Sequence, residues 1–206
     1  MHYYEWNGNN SLLDTSGNLW FNSYVGILVK FDGTNYTVYD TTNSNIGNYE
    51  IGEIALDSAS NDIWITRKAN ILTKFHNGNF TNYVIPPIYV INYAPRLSVD
   101  NSGNVWIYAN FLGAIKFDGA TFQLVSNIAF TNVGTGLGSV WLQDIDTIFK
   151  YDNNQIKPFY IFSPISIAYS SGYRGLQVYD NSIHDKKTDH IYYKRTFIPV
   201  LRFPLL

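Results

Sequence analysis

Short apolar runs alternate along the chain with clusters of Asn, Asp, Gly and Ser. The runs around Ile27–Phe31, Ile63–Thr66 and Val105–Tyr108 are rich in β-branched and aromatic residues, the composition of half-buried or buried strands. No window of a dozen residues keeps a 3.6-residue period, so the pattern predicts strands throughout and no helix.

The runs repeat. Leu13-Asp14-Thr15-Ser16-Gly17-Asn18-Leu19-Trp20 aligns with Val99-Asp100-Asn101-Ser102-Gly103-Asn104-Val105-Trp106. Leu56-Asp57-Ser58-Ala59-Ser60-Asn61-Asp62-Ile63-Trp64 is the same tract, one residue longer. Gly136-Leu137-Gly138-Ser139-Val140-Trp141 is a degenerate fourth copy. After each Trp comes a Lys-aromatic pair: Lys30-Phe31, Lys74-Phe75, Lys116-Phe117 and Lys150-Tyr151. Turn signals follow: Asp32-Gly33, Asn77-Gly78, Asp118-Gly119 and Asn153-Asn154. The Trp residues are 44, 42 and 35 positions apart, the period of one four-stranded propeller blade. Each unit reads as strand, turn, Trp strand, loop, Lys-aromatic strand, hairpin, fourth strand.

The fold expected is therefore all-β: a β-propeller of four-stranded antiparallel blades, with about five blades or an open part of a larger ring. Residues 1–206 read as one domain, with clear blades over about 13–159 and a degenerate blade over about 160–206. In the latter, Gly175–Ser182 echoes the Trp strand and Ile191–Lys194 the third strand. Residues 2–8 read as a stray strand, because Tyr4-Glu5-Trp6-Asn7-Gly8 echoes Lys30–Gly33. Trp20, Trp64, Trp106, Trp141, Phe31, Phe75, Phe117 and Tyr151 are the expected blade core.

Composition narrows the chemistry. The absence of cysteine excludes disulfides, zinc-thiolate sites and cysteine nucleophiles. A net charge of −2 gives no basic field for nucleic acid. No apolar run is long enough for a membrane-spanning helix, and no signal peptide is visible at the N-terminus. Charge is uneven, with six basic and three acidic residues in 174–206. The apolar stretch Phe197–Leu206 reads as a segment that packs on the ring seam or on a protein partner.

Asp-x-Ser-Gly-Asn-(Leu/Val)-Trp, then a strand ending Lys-Phe-Asp-Gly, resembles the two-component-regulator propeller repeat of bacterial hybrid sensors and related surface proteins. The resemblance covers about Leu13–Phe159. It implies seven-bladed propellers in extracytoplasmic sensor regions that recognise glycan-derived ligands, and so a periplasmic or cell-surface location. This chain is shorter than such a sensor and has no kinase or regulator segment.

Several motifs read as structural. An aromatic at one fixed position in every blade is a packing requirement before it is a sugar platform. The repeated Lys reads as a residue snorkelling to solvent. The tract Asp caps its turn by accepting backbone N–H bonds, the alternative being calcium ligation. His184-Asp185-Lys186-Lys187-Thr188-Asp189-His190 reads as a hairpin loop, since its spacing matches no metal motif. Gly134–Ser139 lacks the Lys-Ser/Thr ending of a phosphate loop and precedes a strand. No metal or other cofactor is expected.

The function expected is a non-catalytic binding or interaction module for a carbohydrate or protein ligand. Propellers bind through loops at one face, here those joining strand four to the next strand one and strand two to strand three. Those loops nominate Tyr24, Tyr49, Arg67, Lys68, Tyr93, Arg96, Asn110, Phe111, Asp144 and Tyr173. A second reading is a structural component of a larger surface or phage-tail-type assembly. A third is catalysis like that of streptogramin-type lyases, which needs a His and an acid within hydrogen-bond reach at the channel mouth. Glu is nearly absent here, and the four His do not recur at one face.

Overall fold

The computed structural model describes residues 6–23, 26–89, 96–109, 113–128, 130, 132–136, 138–144, 147–161, 176–179 and 182–185. Four antiparallel sheets of four strands follow one another. Blade 1 holds β1 (Trp6–Leu13), β2 (Leu19–Ser23), β3 (Leu28–Phe31) and β4 (Tyr36–Tyr39). Blade 2 holds β5 (Ile51–Asp57), β6 (Asp62–Arg67), β7 (Ile71–His76) and β8 (Asn79–Val84). Blade 3 holds β9 (Arg96–Val99), β10 (Val105–Ala109), β11 (Gly113–Phe117) and β12 (Phe122–Ser126). Blade 4 holds β13 (Asn132–Gly136), β14 (Ser139–Gln143), β15 (Thr147–Asp152) and β16 (Gln155–Ile161). The hairpin of β17 (Leu176–Tyr179) and β18 (Ser182–Asp185) completes the described strands. Within every blade the strands lie in sequence order, and among the described residues there is no helix. The first strands β1, β5, β9, β13 and β17 lie side by side in succession, as the inner strands of propeller blades do.

Three details differ from the sequence reading. Residues 6–8 belong to β1 and so to blade 1, whose pairing with β2 is interrupted between Trp6 and Ser11; residues 2–5 lie outside the described part. β17 stands next to β13, the place of a first strand, although its sequence echoes a Trp strand. His184 and Asp185 lie in β18 rather than in a loop, because the chain reverses one turn earlier than the polar cluster suggests. The remainder of that cluster, residues 186–190, and the apolar Phe197–Leu206 are outside the described residues.

Two kinds of hairpin join strands three and four. In blades 2 and 4 two residues suffice. Asn77 (φ 46°) and Gly78 (φ 84°), and Asn153 (φ 50°) and Asn154 (φ 59°), all adopt the positive φ that suits the twist of a tight hairpin. In blades 1 and 3 the Asp of Asp-Gly caps a longer turn. Asp32 Oδ1 accepts the N–H groups of Thr34 (2.9 Å) and Asn35 (2.7 Å), and Asp118 Oδ1 does the same for Ala120 and Thr121.

Each blade is too thin to bury its own faces, so the core lies between blades. Trp20 and Leu28 of blade 1 pack with Ile54, Ile63, Ile65, Phe75 and Phe80 of blade 2. Trp64 and Leu72 pack with Leu97, Val105, Ile107, Ile115 and Phe117 of blade 3. Trp106 and Ala114 pack with Val133, Val140 and Leu142 of blade 4. All four Trp indoles are at most 3% exposed. Burying one large apolar side chain contributes about 1.5–3 kcal/mol, so these seams hold the array together. Each Lys of the Lys-aromatic pair sits directly across from its Trp on the next strand. The ammonium groups of Lys30, Lys74 and Lys116 lie 5.8, 5.5 and 6.0 Å from the indole centres of Trp20, Trp64 and Trp106. Each of these three Lys thus adds a cation–π contact over its indole.

Polar bonds also tie neighbouring blades. Asn61 Oδ1 accepts from the backbone N–H (2.9 Å) and hydroxyl (2.7 Å) of Thr15. Glu53 Oε2 on β5 accepts the N–H of Leu97 on β9 at 2.9 Å. The Thr135 hydroxyl donates to the Val99 carbonyl at 2.7 Å.

Candidate functional site

The loops that join strand four to strand one and strand two to strand three lie at one end of the blades. At the junction of blades 1 and 2 the structure assembles three of the nominated residues. Arg67 ends β6 and is 2% exposed. Its Nη2 donates to the carbonyls of Gly47 (3.0 Å) and Tyr49 (2.7 Å) in the connection between β4 and β5. The guanidinium carbon lies 5.9 Å from the Tyr49 ring centre. Burial lowers the Arg67 pKa to about 10, which still leaves it charged at neutral pH. Lys68 seals the same loop from outside. Its N–H donates to Glu50 O (3.1 Å) and its Nζ meets Glu50 Oε2 at 2.6 Å.

Glycines make this approach possible. A Cβ on Gly47 would stand 3.1 Å from Arg67 Nη1, and one on Gly26 would stand 2.7 Å from the Tyr49 carbonyl oxygen. Both residues have φ near +80°, so both the space and the backbone call for glycine. The outcome is a fixed loop with the Tyr49 side chain at its surface, the residue being 44% exposed.

The nominated residues therefore divide. Tyr49 and Lys68 are exposed, whereas Arg67 is a clamp beneath the surface. Arg96 begins β9 opposite Tyr108, and Asp144 follows β14 with its N–H donating to Thr147 O at 2.8 Å. Both are half-buried and lie at the same end of blades 3 and 4. Tyr24, Tyr93, Asn110, Phe111 and Tyr173 lie outside the described residues. The sequence reading missed Ile88 (75% exposed) and Ile128 (39% exposed), which stand on the strand-four-to-strand-one connections after blades 2 and 3. Together with Tyr49 they put an exposed apolar side chain on each of these three connections. The signal available for them was an apolar residue inside a segment of turn character, such as Pro86-Pro87-Ile88.

The polar residues of the opposite end are engaged in structure. His76 Nδ1 bonds to Asp62 Oδ1, and Asp62 Oδ2 meets Lys74 Nζ at 2.7 Å. This is a His and an acid within hydrogen-bond reach, but at the end of β7, away from the inner strands. Among the described residues no three His, Asp or Glu groups gather as a metal site. The carboxylates of Asp14 and Asp100 are spent on their own turns and on Trp indoles.

No protein-family model matches the chain, and no curated protein matches it in sequence. Its likeness is to solved structures. The extracellular domain of the hybrid two-component system BT4673 from B. thetaiotaomicron is 15% identical, with a TM-score of 0.62 over 85% of this chain and 25% of that one. YCF48 from Cyanidioschyzon merolae is 8% identical, with a TM-score of 0.57 over 86% of this chain and 62% of that one. A YCF48 structure with bound D1 peptide is 13% identical, with a TM-score of 0.52 over 74% of this chain and 56% of that one. The chain thus spans a quarter to under two thirds of these proteins, and at such identities the likeness establishes the propeller-type fold it shares with them.

Proposed function

We propose that this chain is a non-catalytic propeller interaction module that takes a protein segment across the face carrying Tyr49, Ile88 and Ile128. The observation that carries this reading is the exposure of those three apolar side chains on successive connections, one of them on a loop clamped by Arg67. Apolar anchors on a fixed scaffold suit a protein ligand, because little ordering is lost on binding. The peptide complex of YCF48 gives the same fold this kind of use. Carbohydrate recognition is the second reading. It rests on the Tyr49 ring as a stacking surface and on the likeness to the extracellular domains of hybrid two-component systems. In that reading the resemblance of the repeat to the two-component-regulator family extends to a periplasmic or surface location.

The test is binding to peptide and glycan arrays by the native chain and by Tyr49→Ala and Ile88→Ser variants. Both sites are exposed, so folding is preserved. Loss of peptide binding in both variants supports the protein reading. Loss of glycan binding in Tyr49→Ala alone supports the carbohydrate reading. Ligand binding unchanged in both removes this face.

A further inference from the structure

We propose that the outward face of blade 1 is a docking surface for a further blade of this same repeat, supplied from outside these 206 residues. The reasoning starts from register. In each blade one stripe of side chains crosses all four strands. It is Leu56, Ile63, Phe75 and Phe80 in blade 2. It is Val99, Val105, Phe117 and Phe122 in blade 3. It is Thr135, Val140, Tyr151 and Ile156 in blade 4. Each of these is covered by the Trp of the blade before it. Trp20 meets Phe75 at 5.0 Å, Trp64 meets Phe117 at 5.9 Å, and Trp106 meets Tyr151 at 4.6 Å between ring centres. A Tyr on the fourth strand completes two of the covers: Tyr39 against Phe75 at 5.1 Å and Tyr83 against Phe117 at 4.9 Å.

The corresponding stripe of blade 1 is Leu13, Leu19, Phe31 and Tyr36. Its ends are open: Leu13 is 64% and Tyr36 66% exposed. Phe31 stacks on Tyr36 at 4.6 Å and 26°, the arrangement of Phe117 on Phe122 (4.3 Å, 26°) that receives Trp64 in blade 3. Val38, one row along, is 40% exposed, and the stripe carries no charge. The same chain therefore shows three times what chemistry covers this register: an indole on a second strand flanked by a Lys and, in two of the three, a Tyr. A second copy of the chain cannot supply it, since its four repeat indoles are all at most 3% exposed. The fitting partner is a blade of the repeat whose Trp is not yet covered.

The experiment extends the chain by placing a duplicate of residues 51–95, blade 2 with its following connection, ahead of residue 6. Covalent labelling of Tyr36, read by peptide mass spectrometry, is compared in the extended and native chains. The expected result is a several-fold drop in Tyr36 labelling on extension. That drop should be lost with Trp64→Ser in the duplicated segment, or with Leu13→Lys in the host stripe. Unchanged labelling in the extended chain overturns the proposal. So does a native chain in which Tyr36 is already protected: protection independent of concentration assigns the stripe to the chain's own residues, and protection that grows with concentration assigns it to a second copy.

Discussion

The carboxylate of Asp14 reaches across its own turn to accept the indole N–H of Trp20 at 2.8 Å. Its other oxygen takes the N–H groups of Ser16 and Asn18, both at 2.9 Å. Asp100 and Trp106 repeat the arrangement, again at 2.8 Å. One side chain thus shapes the turn between strands one and two and fixes the ring that fills the next seam. The geometry needs a spacing of six residues from Asp to Trp. In blade 2 the tract is one residue longer, and Asp57 instead holds Ala59 N–H and the Ser60 hydroxyl. Trp64 Nε1 is left buried with no acceptor. In blade 4 the tract Asp is missing, and the Gly136 carbonyl accepts from Trp141 at 3.0 Å.

Asp100→Ala removes the turn cap and the indole acceptor together. Hydrogen bonds to a charged group contribute about 1.5–3 kcal/mol each, and a stranded buried donor adds to the loss. Urea unfolding should show a destabilisation of about 2–4 kcal/mol. Asp57→Ala, which strands no indole, should cost visibly less. Equal losses in the two variants would refute the tether.

Replacing Trp by Phe separates ring packing from the N–H bond. Trp106→Phe loses both, whereas Trp64→Phe loses ring area but also removes an unpaired buried donor. The expected difference is about 1–2 kcal/mol in favour of Trp64→Phe, measured by chemical denaturation at neutral pH.

The blades were legible because their signals are local and repeated. The Trp and the Lys-aromatic pair recur in all four blades, and the tract Asp in three of them. Register explains what was missed: Lys30 lies over Trp20 only because the two residues stand opposite on adjacent strands, a relation that spacing alone does not reveal. The site was far less legible. Nothing in Asp62-Ile63-Trp64-Ile65-Thr66-Arg67 announces that the Arg is buried under a loop from the previous connection. That contact is set by how two blades meet, and it turns a nominated ligand contact into a support. Ile88 and Ile128 carry neither the polar nor the aromatic character that marks a binding loop in sequence, and their exposure follows from where the connection leaves the blade.

Glycine tolerance offers a sharper contrast. Gly113 opens β11 at φ 102°, and a Cβ there would run into the Ser126 carbonyl oxygen. Gly33 has φ 95°, but a Cβ there would meet nothing within 4 Å. Gly33→Ala should therefore cost only the backbone strain, about 1–2 kcal/mol. Gly113→Ala must also displace backbone, and should exceed about 4 kcal/mol or prevent folding. Thermal melts of the two variants decide it, and similar melting temperatures would contradict the close approach at Gly113.

Acid should act through Asp62. Burial pushes its pKa up, but hydrogen bonds from Lys74, His76 and Ser60 and the charge of Lys74 outweigh that, holding it below the ordinary 3.8. A carboxyl with a depressed folded pKa adds stability above its unfolded pKa and loses it as pH falls through the folded value. The contribution is thus present at neutral pH and disappears below about pH 4. Asp14 follows the same sign, its burial being outweighed by bonds from Trp20, Asn18 and Ser16. Asp62→Asn should lower the melting temperature at pH 7 and narrow the gap to wild type in strong acid. A gap that stays constant across the range would remove Asp62 from the acid response.

Arg67→Lys tests whether the loop is held by shape or by charge alone. The guanidinium reaches two carbonyls, Gly47 O and Tyr49 O, from a single nitrogen, and its Nη1 would lie 3.1 Å from a Cβ on Gly47. An ammonium keeps the charge but is more strongly hydrated and lacks the planar fork, so the exchange is not conservative at a buried site. The expected loss is about 2–4 kcal/mol, since a desolvated charge is left with poorer partners. Hydrogen exchange should show where the loss falls. The Lys68 amide bonded to Glu50 O and the amides of 47–50 should exchange faster, while those of blades 3 and 4 stay protected. Ligand binding at the face should weaken along with the loop in Arg67→Lys, whereas Tyr49→Ala should weaken binding with the loop still protected. Loop exchange unchanged in Arg67→Lys would show that the connection holds its shape without the clamp, and Arg67 would then be a packing residue only.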